Sequence, residues 1–121
     1  MKNRISVIAF DADDTLWVNE PFFRESEEKF CKLLADYESE SQVMTLLFET
    51  EIKNLALYGY GIKGFMLSMI ETILTVTKNE TKPTLFEQAL AIGKEMFNKP
   101  VELLPGVEDV LKNLYGKYRL V

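Results

Sequence analysis

Ile5-Ser6-Val7-Ile8-Ala9-Phe10 runs without a break into Asp11-Ala12-Asp13-Asp14-Thr15. A short, apolar, partly β-branched run of this kind reads as a buried parallel strand that ends at a loop. The C-terminal end of such a strand is where open α/β sheets place their sites.

From Pro21 to about Gly116 the apolar spacing becomes helical. Phe23, Phe30, Leu33, Leu34 and Tyr37 fall on one stripe of a first helix, with Asn19 in the position of a cap. Ser39 and Gln42 form a capping-box pattern for a second helix carrying Val43, Leu47, Phe48, Ile52 and Leu55, which stops near Gly59. Ile62, Phe65, Met66, Met69, Ile70, Ile73 and Leu74 repeat at three and four residues and predict a third. Thr84 and Glu87 make another capping box, opening a fourth that carries Phe86, Leu90 and Phe97. These four helices read as a bundle, with Lys78 to Pro83 as its plainest linker. The breakers Pro100, Pro105 and Gly106 mark its end. A short helix with Val107, Val110, Leu111 and Leu114 inward, closing at Gly116, then leads to a second strand at Tyr118-Arg119-Leu120-Val121.

Composition removes several function classes. The absence of histidine excludes Ser-His-Asp triads and most zinc-ligand patterns, so chemistry must rest on carboxylates, hydroxyls, backbone groups or a hard metal ion. A net charge of -5 gives no general attraction for polymeric nucleic acid or anionic membranes. No segment approaches the ~20 apolar residues of a membrane span, and the basic Met1 to Arg4 with its short apolar run is too brief for a secretory leader. Cys31, the single cysteine, reads as a small buried thiol in a reducing compartment, with the cytoplasm as the expected location. Asn79-Glu80-Thr81 matches a glycosylation acceptor by letter, which without a leader reads as chance.

The chemistry is concentrated in Phe10-Asp11-Ala12-Asp13-Asp14-Thr15-Leu16-Trp17. Asp11 and Asp13, two residues apart just beyond a strand, can converge on one side of a site. One carboxylate can then attack phosphorus while the other moves a proton to the leaving oxygen. Packed together they repel unless a cation sits among them, and magnesium suits oxygen ligands and a phosphate substrate.

Four apolar residues followed by Asp-x-Asp-x-Thr-Leu resembles the first signature of the haloacid dehalogenase superfamily. The resemblance implies an α/β fold, a partial Rossmann-like core with an inserted all-α helical bundle as a cap. Residues 1–18 would supply the first core strand and catalytic loop, 19–100 the cap, and 101–121 the return to the core, with Leu104-Pro105-Gly106-Val107 at the re-entry. It also implies that Asp11 forms an aspartyl-phosphate, that Asp13 is the general acid and base, and that Thr15 helps fix the loop. Magnesium would be bound by the Asp11 carboxylate and the Asp13 backbone carbonyl.

An acid at position 13 favours phosphate-ester cleavage, because the family's dehalogenases typically lack one there and its phosphonate-cleaving branch has a small residue. The implied activity is a magnesium-dependent phosphatase acting on a small phosphorylated metabolite, with nucleotide monophosphates, sugar phosphates and phosphoglycolate all admissible. A mutase or dehalogenase of the same family and a non-catalytic helical interaction module are the alternatives. The family's later residues, a Ser or Thr, a Lys and an acidic pair, have no counterpart among the 121 residues. The chain is therefore read as an N-terminal fragment, little active alone and prone to self-association through uncovered apolar faces.

The plainer roles fall to the neighbours. Asp14 lies between the shared positions and reads as structural. Trp17 is open to two readings, packing at the core-to-cap hinge or facing the cap and substrate. Gly59-Tyr60-Gly61-Ile62-Lys63-Gly64 fits a dinucleotide-binding pattern by letter, but a helix precedes it where a strand is required, so it reads as a helix-to-helix turn. Glu25, Glu27, Glu28 and Lys29 read as an exposed helix face.

Overall fold

The computed structural model describes residues 4–121, and Met1, Lys2 and Asn3, the start of the expected core segment, lie outside the described residues. The elements run β1 (Val7–Ile8), α1 (Glu20–Leu33), α2 (Glu40–Tyr58), α3 (Ile62–Val76), α4 (Pro83–Phe97), α5 (Val107–Leu114) and β2 (Arg119–Leu120). The fold is α/β, a small parallel sheet interrupted in sequence by a helical insertion. Two compact units result: the chain up to Phe22 with Pro100–Val121, and Phe23–Lys99.

In the first unit β1 and β2 pair in parallel, Val7 opposite Arg119 and Ile8 opposite Leu120. The ladder extends beyond the strand ends, because Arg119 N–H donates to Ser6 O at 2.9 Å and Phe10 N–H to Val121 O at 3.0 Å. The expected strand pair is thus present, but β1 is not the buried strand its composition suggests. Ile5 is 72% and Val7 45% exposed, while Ile8 and Phe10, on the other face of the pleat, are half-buried. The neighbouring strand pairs one edge of β1, and only the face that carries Ile8 and Phe10 is partly covered. The α5 helix follows Gly106, whose φ of +83° is the left-handed conformation that glycine adopts without a Cβ clash. Val107, Leu111 and Leu114 are half-buried, but Val110, expected inward, is exposed.

The second unit holds the hydrophobic core. Phe30, Cys31 and Leu34 from α1 and the turn after it meet Val43 and Leu47 of α2, Phe65, Met69 and Ile73 of α3, and Leu85, Ala89, Ile92 and Met96 of α4. Each large side chain fully buried here contributes about 2 kcal/mol. Phe23 and Phe65 pack edge to face, their ring centres 5.5 Å apart, joining α1 to α3. Cys31 is buried as expected, and burial first, then the charges of Glu40, Glu27 and Glu28, push its thiol above the usual range. Glu25 and Lys29 do more than solvate a face: Lys29 Nζ lies 3.1 Å from Glu25 and 2.8 Å from Glu95, pairing α1 with α4.

Helical spacing located the helices, but not always their buried sides. On α2 the covered stripe runs through Val43, Leu47 and Asn54, leaving Phe48 62% and Ile52 57% exposed. Ile52 is nine residues past Val43, about half a turn round the helix from it. On α4 the expected stripe Phe86, Leu90, Phe97 has the same spacing as the observed Leu85, Ala89, Met96, shifted by one residue. Phe86 and Leu90 end half-buried and Phe97 is exposed. Nor does Thr84 cap α4. The helix starts at Pro83, with Lys82 as a cap residue that makes no side-chain bond; proline's fixed φ and missing N–H suit the first helical position. The Ser39 cap is present, its hydroxyl accepting the Gln42 N–H at 3.2 Å. Tyr37 lies in the turn beyond α1 and is exposed.

Candidate active site

The site is built from the end of β1 outward. Phe10 is the last residue of the segment to bond β2's neighbour Val121, so Asp11 is the first residue past the sheet. The chain then folds tightly about one acceptor: the Ala12 carbonyl takes the N–H groups of Thr15, Leu16 and Trp17 at 3.1, 2.8 and 3.4 Å. Asp14 sits at φ 57°, a left-handed conformation that Asp tolerates better than most residues, and its N–H donates to Trp17 O at 2.9 Å. The far side of the loop is gripped by the returning chain, with Leu104 N–H donating to Leu16 O at 2.9 Å and Val18 N–H to Glu102 O at 2.8 Å. Trp17 and Leu103 face each other across this antiparallel bridge.

Each side chain singled out in the loop has a defined partner. The Thr15 hydroxyl lies 3.2 Å from Asp11 Oδ2, the acceptor of its hydrogen bond, so Thr15 steadies the first carboxylate directly as well as shaping the turn. The Trp17 indole Nε1–H donates to Asp13 Oδ1 at 3.0 Å. Asp11, Asp13 and Thr15 are exposed, and Trp17 is half-buried. Asp14 turns away from this pair: its Oδ1 accepts the backbone N–H groups of Asn19 at 3.0 Å and Glu20 at 2.9 Å. It therefore helps cap α1, whose first residue Glu20 directly follows Asn19, the residue that spacing places at the cap. The bond to Asp13 was not foreseen; the available signal was an indole, which can only donate, four residues after an acid.

The donor chemistry fits a hard cation in kind. Asp11 and Asp13 offer only oxygen, and among the described residues each keeps one carboxylate oxygen clear of the side-chain bonds just described. They do not make a complete cage, since among the described residues no three Asp, Glu, Cys or His side chains gather as a metal site. The glycine pattern at Gly59, Gly61 and Gly64 forms the turn from α2 to α3: Gly59 ends one helix and Gly61 opens the next, at φ +68° and +115°.

No family model matches the chain, and no curated protein does. Among solved structures, a haloacid dehalogenase-like family hydrolase from Xanthomonas campestris is similar to it over 96% of its length, at 33% identity and a TM-score of 0.86. This chain belongs to the haloacid dehalogenase superfamily. The chain spans 48% of that neighbour's length. As a haloacid dehalogenase-like chain, it has its Asp-x-Asp-x-Thr-Leu signature at the C-terminal end of β1, followed by the helical insertion. No helix of the described residues is long and apolar enough to cross a membrane.

Proposed function

We propose that the full-length protein is a magnesium-dependent phosphatase of small phosphorylated metabolites, working through an aspartyl-phosphate on Asp11. The observation that carries the reading is the pair of exposed carboxylates, Asp11 and Asp13, at the end of β1 in a chain similar to a hydrolase of this superfamily. Thr15 donates to Asp11 Oδ2, and Oδ1, clear of that bond, is assigned as the attacking oxygen, while Oδ2 keeps a second lone pair. That oxygen bonds to phosphorus as the ester P–O bond breaks, and the departing oxygen takes the bond's electron pair and a proton from Asp13. Water then attacks the phosphorus, returns a proton to Asp13, and releases phosphate and free Asp11. Magnesium, when held by the Asp11 carboxylate and the Asp13 carbonyl, would supply charge neutralisation for the phosphoryl oxygens. The substrate class extends to nucleotide monophosphates, sugar phosphates and phosphoglycolate, and the free, buried Cys31 supports a cytoplasmic location.

Asp11→Asn in the full-length protein should abolish magnesium-dependent hydrolysis of a generic aryl phosphate. Retained turnover would overturn the nucleophile assignment. Beryllofluoride, a phosphoryl mimic, should perturb the native protein in the presence of magnesium and leave Asp11→Asn unchanged; no response in either would instead favour a non-catalytic module.

A further inference from the structure

We infer that Trp17 is a positioning residue that holds the Asp13 carboxyl by one oxygen, so that its other oxygen carries the transferable proton. The inference rests on the phosphatase reading of Asp13 and deepens it. Three observations combine. The indole Nε1 lies 3.0 Å from Asp13 Oδ1. The Trp17 backbone is fixed on both sides, its carbonyl accepting from Asp14 N–H at 2.9 Å and its N–H donating to the Ala12 carbonyl at 3.4 Å. The adjoining Leu16 and Val18 are bonded to Leu104 and Glu102 of the returning chain. The donor is thus a planar ring with few torsions, mounted on a short braced bridge.

The chemistry follows from what an indole can do. Its N–H donates and has no lone pair to accept with, so the bond survives only while Oδ1 remains an acceptor. When Asp13 is neutral, a proton on Oδ1 would confront the indole hydrogen, whereas a proton on Oδ2 leaves the bond intact. Donation to the leaving oxygen, and recovery of the proton from water, then both use Oδ2. An aspartate side chain at an exposed loop otherwise samples several rotamers, and a proton donor misplaced by about 1 Å can cost on the order of a hundredfold in rate. Thr15 does the same for Asp11, so each of the two carboxylates is steadied by a donor four residues later, Asp11 by Thr15 and Asp13 by Trp17.

The test replaces the N–H and little else. β-(3-Benzothienyl)alanine encoded at position 17 keeps the fused ring and substitutes sulfur for the N–H; Trp17→Phe serves as a second variant. With an aryl phosphate and magnesium, the full-length protein carrying either change should show kcat reduced about tenfold or more, with KM within about twofold. In an Asp13→Asn background the same changes should have no further effect on kcat. In the 1H–15N spectrum the Trp17 indole signal, assigned by its loss in Trp17→Phe, should shift upfield in Asp13→Ala as the hydrogen bond disappears. Native kcat in the benzothienyl variant, or an indole signal unmoved by Asp13→Ala, would overturn the inference even if Asp13→Asn is inactive. Full activity of Asp13→Asn would instead overturn the acid-base reading itself.

Discussion

The Asp14 carboxylate receives the Glu20 N–H through both of its oxygens, at 2.9 Å to Oδ1 and 3.2 Å to Oδ2. The residue just after the second of the two proposed catalytic acids thereby closes the start of α1, and it does so from a left-handed backbone at φ 57°. Replacing it removes two supports together: the cap, worth about 1 kcal/mol, and the local tolerance of the left-handed conformation, worth about another. Asp14→Ala should lower the unfolding free energy by about 2 kcal/mol in urea titration, and Asp14→Asn by clearly less. Equal losses in the two variants would show that the cap geometry contributes nothing.

Gly93 of α4 faces Met66 of α3, and a Cβ built on it would fall 2.3 Å from Met66 Cγ and 2.4 Å from its Sδ. The Cγ atom lies near the root of the side chain, so a methyl group there demands a shift of the helix or a different methionine rotamer. Gly93→Ala gains helix propensity of about 1 kcal/mol, but the overlap should outweigh it, for a net loss of about 1 to 2 kcal/mol. Thermal unfolding should show a lower midpoint. Met66→Ala in the same chain should recover part of it by emptying the contested space, and additive losses in the double variant would rule out this contact as the cause.

This close approach also explains what could be read from the sequence and what could not. Element order and type were legible, because Ile5–Phe10 and the three- and four-residue spacings after Pro21 are local patterns. The buried side of α4 was not. Phe86, Leu90 and Phe97 repeat just as well as Leu85, Ala89 and Met96, and the choice between them depends on a neighbouring helix settling over Gly93. Size pointed to the phenylalanines, while close packing selected the narrower face. At the site, the positions of Asp11, Asp13 and Thr15 could be read from the signature, and most bonds inside the loop are local, but those that anchor its far side depend on distant partners. The grip of Glu102 and Leu104 on Val18 and Leu16 spans more than eighty residues of chain and leaves no mark in local composition.

A polar cluster inside the helical unit should behave as a cooperative group. Asn54, buried on α2, donates from Nδ2 to Ser68 Oγ at 3.3 Å and to Glu71 Oε2, while Tyr58 OH lies 3.4 Å from Glu71 Oε1. Asn54→Ala leaves a buried hydroxyl and a carboxylate short of a donor, at a cost of about 1 to 3 kcal/mol. Asn54→Ala combined with Ser68→Ala should lose less than the sum of the two single changes, as measured by a double-mutant cycle in urea. Strict additivity would mean that the cluster is not coupled.

Glu51 carries a carboxyl displaced far enough to make stability depend on pH up to neutrality. Burial first, and then the negative charge of Glu27, push it from 4.5 up to about 7. The folded protein therefore binds this proton more tightly than the unfolded chain does, and stability falls as pH rises from about 4.5 to about 7. Below that window both states are protonated, and above it the full loss has been incurred. A shift of this size corresponds to about 3 kcal/mol, and solvent screening at a half-buried position reduces it to about 1 to 2 kcal/mol. Glu51→Gln should thus unfold at higher urea than the native protein at pH 8, and at nearly the same urea at pH 4.5, where the native carboxyl is already neutral when folded. A constant difference between the two proteins across that range would show that Glu51 is not the group responsible.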